Sequence, residues 1–111
     1  MNIQVRSKDI KLSDHTRLHL EGAKEKFLKY GLEITTIHTY INKEKNGVSI
    51  EFELHIAHQA PIVVKEEDKD LDAAIDIAID RVSKALRRLA DKVKDHRHQI
   101  SVRDLEVAEE A

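Results

Sequence analysis

Seven basic residues crowd one stretch of the chain: Arg81, Lys84, Arg87, Arg88, Lys92, Lys94 and Arg97, against only Asp91 and Asp95. The formal net charge of all 111 residues is -2, so this excess of positive charge is local. A concentrated basic surface on a near-neutral protein is where a polyanion docks. At 100° per residue, Arg81, Lys84, Arg88 and Lys92 form one stripe, roughly 110° from the centre of the apolar stripe of the same helix. The planar fork of arginine grips phosphate oxygens in two directions. On an earlier helical stretch Lys26 and Lys29 lean to one side, and Arg17 and Lys24 to the other. Either pair could extend the patch, and the pattern alone does not say which. An ordinary reading competes with phosphate binding. Asp70, Asp72, Asp76 and Asp80 precede the bases, and acids early with bases late is what a helix dipole favours, at about 0.3–1 kcal/mol per charge. Asp76 and Asp80 with Lys84, and Arg88 with Asp91, also have the spacing of solvated ion pairs.

Other chemistry is sparse. Of seven histidines, His15 and His19 stand four apart, a spacing that chelates metals on a helix, but no third ligand falls at a recognisable spacing. The expectation is no metal site, with solvated or interfacial histidines. Cysteine is absent, which removes thiolate nucleophiles, thiolate metal ligands and disulfides. Ser7, Ser13, Ser49, Ser83 and Ser101 lack a nucleophile-elbow context. With only Gly22, Gly31 and Gly47, there is no glycine-rich phosphate loop. Glu51 and Glu53 share a strand face and could pair as acid and base, yet they read more simply as the polar side of a half-exposed sheet.

The elements that must position these residues follow from periodicity. Ile3 and Val5 alternate with Gln4 and Arg6, a short strand. Ser13 caps a first helix running to about Tyr30, with Leu20, Ala23, Phe27 and Tyr30 as its apolar stripe. Gly31 sits where a left-handed cap is needed. Residues 33–42 are rich in β-branched side chains and read as a second strand. A turn over residues 43–47 follows, with Asn46-Gly47 tolerating positive φ. Val48, Ile50, Phe52, Leu54 and Ile56 then alternate with Ser49, Glu51, Glu53 and His55. Pro61 marks a turn, and residues 62–65 form a fourth strand. A long helix from Asp70 to His98 buries Leu71, Ile75, Ala78, Ile79, Val82, Leu86, Leu89 and Val93. The expected fold is α+β: a β-α-β-β-β-α two-layer sandwich, with a four-stranded sheet and both helices on one face. Residues 1–98 form the single domain. Residues 99–111 are expected to be an acidic, disordered tail, since positions 104–111 hold four acids and no bases.

Composition narrows the function classes. Aromatics are 4% of the chain, too few for base stacking to dominate recognition. No stretch has the length and apolarity to span a membrane, and the N-terminus lacks a signal-peptide apolar run. The absence of cysteine fits a reducing compartment. A cytoplasmic location is expected.

The run Asp70-Leu71-Asp72-Ala73-Ala74-Ile75-Asp76, continuing through Ile79-Asp80-Arg81-Val82 to Leu86-Arg87-Arg88-Leu89, resembles the ribosome hibernation-promoting factor family, also called the ribosome-associated inhibitor or sigma-54 modulation family. The opening strand followed by Ile10-Lys11-Leu12-Ser13 is similar to the family's start. The likeness covers about residues 1–98. It implies a fold similar to double-stranded RNA-binding domains, and binding to the decoding region of the small ribosomal subunit. It implies a cytoplasmic, ribosome-associated stress and stationary-phase factor that inhibits translation by sterically blocking transfer RNA and messenger RNA. On matching positions it points to Lys26 and Lys29 on the first helix and Arg81, Lys84, Arg88 and Lys92 on the second; Arg87, in the same run, completes the expected ribosomal-RNA-binding set. Asp72 departs from the family, which usually has an aromatic residue there. The end at Ala111, without a second domain, resembles the short class of the family.

The expectation is therefore a non-enzymatic ribosome-binding factor with no cofactor, no membrane and no small-molecule substrate. Two rivals stand beside it. A protein-interaction module would regulate a transcription or signalling partner, and a small metalloenzyme would use the histidines.

Overall fold

The computed structural model describes residues 2–6 and 8–104, with side chains of the last helix described through Lys94. The elements run β1 (Asn2–Val5), α1 (Asp14–Leu28), β2 (Ile34–Glu44), β3 (Gly47–Ile56), β4 (Ile62–Asp68) and α2 (Leu71–Asp104). The strands form one sheet in the order β1-β2-β3-β4, with β1 parallel to β2 and the other pairs antiparallel. This is the expected α+β arrangement.

Each element has a local cause. The Ser13 hydroxyl accepts from the Thr16 amide at 3.1 Å and opens α1. The helix ends at Leu28, and Gly31 takes φ 72, as its position after the last turn requires. Alternation places Ile50, Phe52, Leu54 and Ile56 of β3 in the core, facing Leu20, Ala23 and Phe27 of α1 and Ile75, Val82 and Leu86 of α2. Phe27 and Phe52 meet edge to face at 5.4 Å between ring centroids. Both helices cover the same face of the sheet, and no described element covers the other face.

Three boundaries differ from the sequence reading. The β2–β3 hairpin is tighter, with Glu44 opposite Gly47 and only Lys45-Asn46 between them. Neither Asn46 nor Gly47 takes positive φ. Glycine is needed at 47 because a Cβ there would overlap the backbone carbonyl of Asp68. Strand β4 runs three residues further, to Asp68, because β3 offers Ile50, Ser49 and Val48 as ladder partners for Glu66, Glu67 and Asp68. Helix α2 continues past His98 to Asp104. Of the expected tail, residues 105–111 lie outside the described residues.

The helices lie side by side and run in the same direction. Thr16 and His19, early in α1, touch Asp72 and Asp76, early in α2. Tyr30, Gly31 and Leu32, just after α1, share a surface concavity with Ala90, Asp91, Val93 and Lys94.

Candidate nucleic-acid interface

The side of α1 that faces α2, open at the level of sequence, is set by those contacts. His19 defines the α2-facing side of α1, and Lys26, seven residues on, falls on the same helical line. Arg17 and Lys24 lie on the far flank. On α2, Asp72, Asp76, Ala90 and Lys94 define the side facing α1, and Arg87 lies on that line. Lys29 and Lys84 ride on the crests of their helices. Arg88 and Lys92 fall with Arg81 on the opposite flank of α2, towards β4. All seven expected residues are exposed.

Arg81 differs from the others. Its Nη1 donates to the Lys65 carbonyl at 3.2 Å and pairs with the Glu66 carboxylate, so it fastens α2 to β4. Lys84 pairs with Asp80 at 3.1 Å, one helical turn back. Among the described residues, Lys26, Lys29, Arg87, Arg88 and Lys92 have no ion pair. The structure thus divides the expected set. By helical position Lys26 and Arg87 fall on the sides of α1 and α2 that face each other, with Lys29 on the crest. Lys94 lines the concavity between α2 and the residues just after α1, and it lies seven residues after Arg87, on nearly the same helical line. Nothing in the helix pattern alone marked Arg81 as the base with a fixed intramolecular partner.

At the other end of the helical layer the charges are reversed and satisfied. His19 reaches Asp76 Oδ1 through Nε2 at 2.7 Å and Asp72 Oδ1 through Nδ1 at 3.3 Å. The Thr16 hydroxyl also donates to Asp72 Oδ1 at 3.3 Å. This histidine is interfacial, linking the first turns of both helices. Asp72 fills the position where an aromatic residue was the family expectation, and it makes polar contacts between the helices instead. Among the described residues, no group of three His, Cys, Asp or Glu side chains is arranged to hold a metal ion.

The open sheet face carries a separate polar network. The Arg6 guanidinium lies 4.2 Å from the Tyr40 ring centroid, and the His38 ring stacks on Tyr40 at 6.0 Å. His55 meets His38 edge-on at 6.0 Å. Tyr40 Oη donates to Glu53 Oε2 at 3.3 Å, and His55 Nε2 lies 3.6 Å from Glu53 Oε1. Burial, and then the Glu53 carboxylate, pushes the Tyr40 phenol above its ordinary pKa. The hydrogen bond from the Ser49 hydroxyl at 2.9 Å, helped by Lys65, holds Glu44 below the usual carboxylate range. Glu51 and Glu53 lie on this face, the position expected of a half-exposed sheet, and Glu53 is held in place by Tyr40 and His55.

A four-stranded sheet thus carries two parallel helices on one face, with bases towards their C-terminal ends that have no ion pair among the described residues. The family model described as sigma 54 modulation protein / S30EA ribosomal protein matches residues 3–94, and the chain belongs to that family. The family is one of ribosome-associated factors, not of enzymes. The chain is similar to the N-terminal domain of protein Y from Thermus thermophilus, with 25% identity and a TM-score of 0.68 over 80% of this chain and 99% of that one. It has the fold of a ribosomal subunit interface protein from Coxiella burnetii, at 17% identity and a TM-score of 0.61 over 80% of this chain and 97% of that one. No match was found among curated proteins. Among the described residues, no helix is long and apolar enough to cross a membrane.

Proposed function

We propose that this protein is a hibernation factor that binds ribosomal RNA of the small subunit in the decoding region and sterically excludes transfer RNA and messenger RNA. The observation that carries the reading is the group of exposed bases without ion pairs among the described residues: Lys26, Lys29, Arg87, Arg88 and Lys92. Unpaired bases on a rigid helical layer release counterions when they meet phosphates, and a fixed spacing between two helices selects shape rather than base identity. Arg81 and Lys84 contribute after exchanging Glu66 and Asp80 for phosphate, so they add less per residue than Arg87 and Arg88.

Two measurements test this together. The affinity of the full chain for small subunits should fall with salt, with a logarithmic slope of roughly 0.7–0.9 per phosphate contact. Chemical probing of the bound subunit should find protection concentrated in the decoding region, with transfer RNA competing for binding. A flat salt dependence, or protection elsewhere with no competition, would overturn the proposal.

A further inference from the structure

The sheet face opposite the helices takes no part in the proposed RNA contact. It is uncovered by any described element. Planar groups stand in a row across it: Arg6, Tyr40 and His38, with His55 set edge-on at the end. Around them Glu44, Glu51, Glu53 and Glu67 outnumber Arg6 and Lys65. Glu51, beside Tyr40 in the ladder, has no hydrogen bond or ion pair among the described residues. Val63, opposite Glu53 on β4, is 54% exposed.

We propose that this face docks an arginine-bearing segment of another protein, centred on Glu51, Glu53, His38 and His55, with Val63 as the apolar contact. Charge decides the class of partner. An excess of carboxylates repels a nucleic-acid backbone and attracts a basic peptide. The rings decide between arginine and lysine. A guanidinium stacks flat on an aromatic or imidazole ring while its edge meets a carboxylate, which an ammonium cannot do. The row already holds one guanidinium of its own chain, Arg6 over Tyr40, so the stacking geometry is built. Glu53, fixed by Tyr40 and His55, and the open carboxylate of Glu51 supply the acceptors. Because this face and the basic helical surface lie on opposite sides of the molecule, both can be occupied at once.

The test uses the full chain, isotope-labelled for NMR, and three probes: a short arginine-glycine peptide, its lysine-glycine counterpart, and single-stranded oligouridine. The arginine peptide should shift Tyr40, His38, Glu51, His55 and Val63, and bind several-fold tighter than the lysine peptide. E51Q/E53Q should weaken it about tenfold with the spectrum still that of a folded chain. A second variant, H38A/H55A, should erase the preference for arginine while leaving residual charge-driven binding. Shifts confined to the helices, equal affinity for both peptides, or oligouridine binding on the sheet face would each overturn the proposal. The outcome is independent of the ribosome. Loss of subunit binding with the peptide site intact would refute the proposed function alone, and the reverse would refute the docking surface alone.

Discussion

The two faces of one sheet are charged in opposite ways and hold their charges differently. On the helical face Lys26, Lys29, Arg87, Arg88 and Lys92 have no ion pair among the described residues. On the open face Glu53, Glu44 and Lys65 are tied to neighbours by hydrogen bonds or ion pairs, and Arg6 stacks on Tyr40. Bases left unpaired keep their full attraction for an external anion and carry little folding energy, since exposed pairs are worth only about 0–1 kcal/mol in any case. Charges tied into a network fix side-chain positions and add to the definition of the fold. The helical face is therefore expected to tolerate charge reversal without unfolding, and the open face to respond first through local structure and titration.

The largest effect should come from the core that both faces share. Phe52→Ala removes the ring under Phe27 and should cost about 3–5 kcal/mol in denaturant unfolding, abolishing any difference between the faces because both lose their support. Next comes the comparison itself. K26E/R87E/R88E should lower affinity for small subunits on the order of 100-fold while the melting temperature stays within a few degrees, because no ion pair among the described residues depends on these three charges. E51Q/E53Q, on the other side, should leave that affinity within about threefold. Unfolding of the triple variant would erase the distinction drawn between the faces.

A smaller effect is expected from His19→Ala, which removes the link between the first turns of α1 and α2. About 1 kcal/mol of stability should be lost, measured by urea unfolding, with RNA affinity reduced only through the looser angle between the helices. The smallest effects are titrations on the open face. Tyr40 has a folded pKa raised above its unfolded value, first by burial and then by Glu53. Its contribution to stability is fully present below the unfolded value and is lost as pH rises through the folded one. Glu53→Gln should bring the Tyr40 transition, followed by ultraviolet absorbance, down towards the ordinary phenol. Glu44 has the opposite sign. Its folded pKa is lowered, so its contribution is present above the unfolded value and fades as pH falls through the folded one. Ser49→Ala should move the Glu44 transition, seen by carboxyl-carbon NMR, back up.

The layer order and the core were legible because two periods wrote them. The alternation from Val48 to Ile56 and the three-and-four steps from Leu71 to Leu89 each admit one buried face. The end of β4 was hidden, because Glu66, Glu67 and Asp68 have poor strand propensity and are held there by the ladder with β3. The same feature hides the role of Arg81 from the sequence, because its partner Glu66 lies in this end of β4. The local pattern explains Gly47 by backbone freedom, whereas its reason is the closeness of Asp68, a contact 21 residues away in sequence that no local pattern records. The helical wheel identified the bases of α1 but could not choose between Lys26 with Lys29 and Arg17 with Lys24. That choice depends on which side meets α2, and the contacts of His19 decide it. The clamp on His19 joins residues 53 and 57 positions apart, so it too lay beyond any single-helix reading.

The central claim, that unpaired bases on the helical face carry binding to the ribosome, is tested most directly by co-sedimentation. The full chain and K26E/R87E/R88E would be run with purified ribosomes on sucrose gradients at low and high salt. The account predicts that the parent chain migrates with the small subunit or whole ribosomes at low salt and is released at high salt, while the folded variant stays at the top throughout. A variant that migrates like its parent, or a parent chain that stays at the top at every salt concentration, would contradict it.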